Sequence, residues 1–121
     1  MLIIGNYHYI RNDFTKPHKS IFGVTPNNFK NQLKVLKENG KIINPNDLLN
    51  NYEDIVLSKD NNYLVTFDDG LKEQYDLALP ILDELDASAL FFINSINYIE
   101  KKVSLVHKIH LVRSEVSSEL I

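Results

Sequence analysis

The sequence predicts an α/β fold in which parallel strands alternate with helices, and three stretches carry that prediction. Tyr63-Leu64-Val65-Thr66-Phe67 is a short apolar run of β-branched and aromatic residues, the composition of a strand covered on both faces. Leu71, Tyr75, Leu79, Leu82 and Leu85 follow at spacings of three and four, which is helical periodicity. Ser88-Ala89-Leu90-Phe91-Phe92-Ile93-Asn94 is a second buried-strand pattern. Strand, helix and strand in this order make a parallel crossover unit, which is nearly always right-handed.

The elements follow in chain order. Leu2-Ile3-Ile4 with Tyr7-His8-Tyr9-Ile10 reads as a first strand ending in polar groups, and residues 11 to 25, with Pro17 and Gly23, read as a loop. Thr25-Pro26 opens a helix, because Thr25 can cap it and proline loses nothing at the first helical position. Phe29, Leu33 and Leu36 fall on one face of that helix, and Asn39-Gly40 ends it. Ile42-Ile43 is a short strand, Asn46 to Tyr52 a short helix, and Ser58 to Asn62 a turn-rich entry to the central strand. Residues 71 to 85 form a helix that Pro80 kinks or restarts. Val103 to Ile121 reads as a last helix with Leu105, Val106, Ile109, Val112, Val116 and Leu120 as its apolar stripe.

Bulk properties narrow the function. At 121 residues the chain is one domain's worth, enough for a core but short of the roughly 250 residues of a complete α/β barrel. A net charge of −3 without a clustered basic patch argues against a nucleic-acid surface. The absence of cysteine excludes disulfides, thiolate metal sites and a cysteine nucleophile. No apolar run approaches the roughly 18 residues of a membrane span. Met1-Leu2-Ile3-Ile4 is broken by Gly5-Asn6 and lacks the parts of a leader, so a cytoplasmic location is expected.

Chemistry concentrates where the central strand ends, at Asp68-Asp69-Gly70. Neighbouring strand residues point to opposite faces, but at a strand's end both carboxylates can approach one site, and parallel α/β folds bind ligands there. The same three residues also spell an ordinary turn, with Asp69 able to cap the following helix. Composition alone leaves both readings open.

The stretch Thr66-Phe67-Asp68-Asp69-Gly70 resembles the first motif of the polysaccharide deacetylases, the fourth family of carbohydrate esterases. Tyr7-His8 is similar to a pair near the start of many members' catalytic domains. The run from Phe29 through Leu33 and Leu36 to Gly40 resembles the helix before the first motif, and Phe91-Phe92 the strand after it. The resemblance covers residues 2 to 94 in outline and is sharp at 66 to 70. It implies the N-terminal part of a distorted (β/α) barrel with parallel strands and flanking helices. It also implies a metal-dependent hydrolase that removes N-acetyl or O-acetyl groups from a poly- or oligosaccharide, with a divalent metal, zinc, as cofactor. Asp68 would be the general base, Asp69 a metal ligand, and His8 a neighbour of the site, although a histidine flanked by aromatics is more often a partly buried, satisfied side chain.

The family's later motifs are not found: a His followed by Ser or Thr, two residues and a second His; an Arg-Pro; a C-terminal Leu-x-His. Residues 1 to 121 are therefore expected to be one incomplete domain, inactive alone and weak in zinc binding, since a catalytic zinc takes three protein ligands. Self-association through an exposed sheet edge is expected as well. His107 and His110 lie about 60° apart around a helix, near enough for a metal pair, but their spacing differs from the family motif. They are read instead as lying on the polar side of a helix inserted before that motif. Two other classes stay open. A non-catalytic glycan-binding relative would bind sugar without metal, and a magnesium-dependent phosphoryl-transfer domain would place carboxylates after a strand but should carry a Gly-rich phosphate loop, which is absent.

Overall fold

The computed structural model describes residues 1–15, 18 and 21–116. Four strands, β1 (Leu2–Tyr7), β2 (Lys41–Ile42), β3 (Asn62–Phe67) and β4 (Ala89–Phe91), form one parallel sheet. β1 runs the whole length of β3, from Leu2 opposite Asn62 to Tyr7 opposite Phe67. The other edge of β3 is shared, with β2 on Asn62 and Tyr63 and β4 on Val65 to Phe67. All six residues of β3 are buried, as a central parallel strand requires.

Helix α1 (Pro26–Asn39) begins where the Thr25 hydroxyl accepts from Asn28 N at 3.2 Å, and it buries Phe29 and Leu33 completely. It stops at Gly40 for a steric reason. A Cβ there would stand 2.3 Å from the Asn61 carbonyl oxygen, so only glycine lets the helix end pack against the entry to β3. Ile10, Phe29, Leu33, Val65, Phe67, Ala78 and Leu82 make the core. Phe67 stacks on Phe91 with ring centroids 4.8 Å apart and meets Phe29 edge-on at 5.6 Å. Burying such a side chain contributes about 1.5–3 kcal/mol, so this trio is a substantial tie between α1 and the sheet.

Several elements differ from the sequence expectation. The first strand ends at Tyr7, and Ile10 makes only an isolated bridge to Val24. β2 begins at Lys41, one residue before the expected Ile42-Ile43 strand, and Ile43 is a buried core residue outside it. The expected helix from 46 to 52 is two, α2 (Pro45–Asn50) and α3 (Tyr52–Leu57), because Asn51 leaves helical geometry at φ −134°. The expected helix from 71 to 85 is helical over residues 72–84, but it contains a π-helical turn (Gln74–Ala78) immediately before α4 (Leu79–Glu84). Pro80 has no N–H to return to Asp76, and the Leu79 N–H bonds Gln74 O, five residues back. That wider turn shifts the buried face to Gln74, Ala78 and Leu82, leaving Tyr75 71% exposed.

The expected strand from 88 to 94 stops at Phe91, since Asn94 caps α5 (Ser95–Glu100) through Ile96 N at 3.2 Å. The final helix is α6 (Leu105–Glu115). Val116 is extended and Leu120 lies outside the described residues. Its apolar stripe does not face inward: Leu105, Val106, Ile109 and Val112 are exposed, and His107 and His110 turn toward the protein instead. Among the described residues, no helix is long and apolar enough to cross a membrane.

Candidate active site

Backbone geometry at the end of β3 decides where the two carboxylates go. Asp68 N still donates to Tyr7 O at 3.1 Å, so Asp68 stays on the ladder beside β1. Asp69 and Gly70 are both left-handed, with φ of 76° and 61°, a conformation that few non-glycine residues adopt. The chain swings away at that point. Consequently the side chains diverge, that of Asp68 meeting residues of β1 and the loop beyond it and that of Asp69 meeting α6.

Asp68 Oδ2 accepts from Asn6 Nδ2 at 2.9 Å and lies 3.5 Å from His8 Nε2. Asn6 is the register partner of Thr66, whose hydroxyl donates to Asn6 Oδ1 at 3.0 Å. His8 is about half exposed rather than buried between its aromatic neighbours. Underneath, the side chain of Gln74 is almost fully buried and donates through Nε2 to the carbonyl oxygens of His8 at 2.8 Å and Asp68 at 2.6 Å. One amide thus ties together the two backbone segments that carry the site.

Asp69 Oδ2 lies 3.1 Å from His107 Nε2, and His107 Nδ1 lies 2.9 Å from the Ser104 hydroxyl. The side chains of Asp69 and His107 are 25% and 12% exposed, so this contact is largely shielded from water. Asp69 therefore does not spend its carboxylate on the following helix as a cap. One turn along α6, His110 Nδ1 meets the Tyr9 hydroxyl at 2.9 Å. Burial pushes the Tyr9 phenol upward, and the negative charges of Asp69 and Glu73 add to that while Arg11 opposes it. Glu73 accepts from Ile10 N at 3.0 Å; burial raises its carboxyl, and Arg11 and that N–H act against the rise. Tyr9, Arg11, Glu73 and His107 line a pocket of about 440 Å³, while Gly70, Gln74, Phe91 and Ile93 line an apolar one of about 260 Å³.

The sequence reading singled out Asp68, Asp69 and His8, and the structure brings all three to one end of the sheet. It missed Asn6, Gln74 and Ser104, and it set His107 apart from the site. Nothing local marks Asn6, Gln74 or Ser104, since Asn6 meets Asp68 only because β1 pairs in register with β3; His107 stands out beside His110, but its place in the sequence, far from Asp69, does not show that the two meet. The carboxylate of Asp69, oriented by His107, is an oxygen donor of the type that a divalent metal such as zinc accepts, and ligating carboxylates are usually hydrogen-bonded in this way. Among the described residues no group of three or more His, Asp or Glu could hold a metal, so they do not form a complete zinc site by themselves.

Comparison with known proteins agrees with this architecture. The family model for polysaccharide deacetylase matches residues 58–118. Among solved structures, the chain is similar to IcaB from Ammonifex degensii, with 27% identity and a TM-score of 0.62 over 76% of this chain and 37% of that one. It is also similar in fold to the Streptococcus pyogenes deacetylase PplD, solved in complex with acetate, with 19% identity and a TM-score of 0.54 over 93% of this chain and 51% of that one. The chain thus covers less than two thirds of the length of either structure. No curated protein matches it. Because the matched segment is half of the chain and contains the strand and turn that carry both carboxylates, the chain belongs to the polysaccharide deacetylase family.

Proposed function

We propose that this strand end serves a hydrolase that removes N-acetyl, or O-acetyl, groups from a poly- or oligosaccharide, with separate roles for Asp68 and Asp69. The divergence of the two carboxylates supports this reading: Asp68 is held by Asn6 beside His8, and Asp69 pairs with His107. Asp68 acts as general base. It takes a proton from the attacking water as the water oxygen adds to the acetyl carbon; the C–N bond then breaks, the amine leaves with a proton, and acetate is the second product. Asn6 fixes the orientation of that carboxylate, and Gln74 keeps its backbone in place.

Asp69 would hold a divalent metal, zinc, which when bound supplies Lewis-acid polarisation of the acyl oxygen and a more acidic water. A cation also offsets the repulsion between neighbouring carboxylates. With Asp69 as one ligand where three are needed, the 121 residues by themselves bind zinc weakly and do not turn over.

Acetate release from an N-acetylated chitooligosaccharide tests the proposal, comparing this chain with a protein that carries it together with the rest of the family domain. The reading expects release by the longer protein that a chelator abolishes, and none from the chain alone. Magnesium-dependent phosphate release, without acetate release, would overturn it.

A further inference from the structure

We propose that Ser104 and His107 form a relay that positions Asp69. Resting on the reading of Asp69 as a metal ligand, this assigns a site role to two residues of an element that the family motif does not include. The geometry carries it. His107 Nε2 faces a carboxylate oxygen at 3.1 Å, where two lone pairs would repel, so in the neutral ring the proton sits on Nε2 and is donated to Asp69. Nδ1 is then the acceptor, and among the described residues its hydrogen-bond partner is the Ser104 hydroxyl at 2.9 Å. Ser104 occupies the N-cap position of α6 yet makes no capping bond through its side chain. A serine there ordinarily accepts from a helix amide. Here its hydroxyl serves His107 instead.

Asp69 has particular need of such a support. Its left-handed backbone takes it off the β-ladder, so no strand neighbour fixes its side chain as Asn6 fixes that of Asp68. His107, 12% exposed and set on a helix, supplies a donor that engages Oδ2 and fixes the orientation of the whole carboxylate. Hydrogen-bond partners of ligating carboxylates are worth about 10–100-fold in metal affinity. Ser104 acts through His107, and His107 through Asp69; both are positioning residues.

The test is nuclear magnetic resonance on the metal-free chain, with zinc titration beside it. Nitrogen shifts should report the Nε2–H tautomer of His107, and three-bond couplings should report one χ1 rotamer of Asp69. In His107→Ala that rotamer should average and zinc affinity should fall about 10–100-fold; His107→Gln, which keeps an N–H donor at similar reach, should restore both in part. Ser104→Ala should lower the fraction of the Nε2–H tautomer. A single Asp69 rotamer in His107→Ala, or an Nδ1–H tautomer in the unaltered chain, would overturn the relay. Zinc affinity unchanged in Asp69→Asn would instead overturn the reading of Asp69 as a ligand, with the rotamer and tautomer results still deciding the relay.

Discussion

Asn6 and Thr66 face each other across the β1–β3 ladder, and the Thr66 hydroxyl, by donating to Asn6 Oδ1 at 3.0 Å, turns the Asn6 amide nitrogen toward Asp68 Oδ2 at 2.9 Å. The strand's own threonine thereby sets the environment of the carboxylate two residues on. Thr66→Val keeps the shape of the strand and removes only the donor. In an active protein carrying this segment, acetate release should fall about tenfold, equivalent to about 1.4 kcal/mol of barrier, while stability changes by no more than about 1 kcal/mol. A stability loss with an unchanged rate would mean that the pair serves folding only.

Phe67 should be the most sensitive core position, since it contacts Phe29, Tyr7 and Phe91 and is fully buried. Phe67→Ala is expected to cost about 3–5 kcal/mol, a large share of the 5–15 kcal/mol that a domain has. Urea unfolding measures it. A cost below about 1 kcal/mol would show that the aromatic cluster is not the tie between α1 and the sheet.

The fold was legible where a pattern is local. The apolar run before Asp68 marks β3, and Thr25-Pro26 with Phe29 and Leu33 marks α1, because propensity, capping and burial point the same way there. The helix after Gly70 was legible as a helix but not in its face, since a π-helical turn before Pro80 rotates Gln74 inward and Tyr75 outward. α6 misleads further: its apolar stripe suggests an inward face, yet the inward residues are histidines that find polar partners in Asp69 and Tyr9. Such partners are set by packing between distant segments. Asp68 and Asp69 stand out in the sequence as adjacent carboxylates at a strand end, whereas the contacts that Asn6, Gln74 and Ser104 make around them could not be read from it.

Glu73 makes stability depend on pH in a definite direction. Its folded pKa is raised by burial above a reference of 4.5, so the stability it contributes is present below that reference and lost as pH rises through the folded value. Glu73→Gln keeps an oxygen acceptor for Ile10 N and removes the titration. Relative to the unaltered chain, the variant should be more stable at neutral pH than at pH 4, by less than about 1 kcal/mol because the group is partly solvated. Thermal unfolding at the two pH values checks the sign, and the opposite order would contradict the burial argument.

Self-association should follow from the apolar side chains left exposed in the segment after β4 and from the open edge of β4. Phe92, Ile93, Tyr98 and Ile99 are each more than half exposed, and β4 has no second strand partner among the described residues. Patches of this kind recruit another chain. Sedimentation at micromolar concentration should show a dimer or larger species, which Ile93→Lys should weaken. A monomer throughout would mean that the patch is covered within one chain.

Separate roles for the two neighbouring carboxylates are the centre of the account, and one paired measurement reaches them: acetate release and bound zinc for Asp68→Asn and Asp69→Asn in an active protein containing this segment. Asparagine turns and caps about as well as aspartate, so a purely structural pair would tolerate both changes. Asp68→Asn should keep the metal and lose about 10² to 10⁴ in rate, the usual contribution of a general base. Asp69→Asn should lose metal affinity, and excess zinc should restore part of its turnover. Equal, mild losses in the two variants, with zinc binding unchanged in both, would contradict the account.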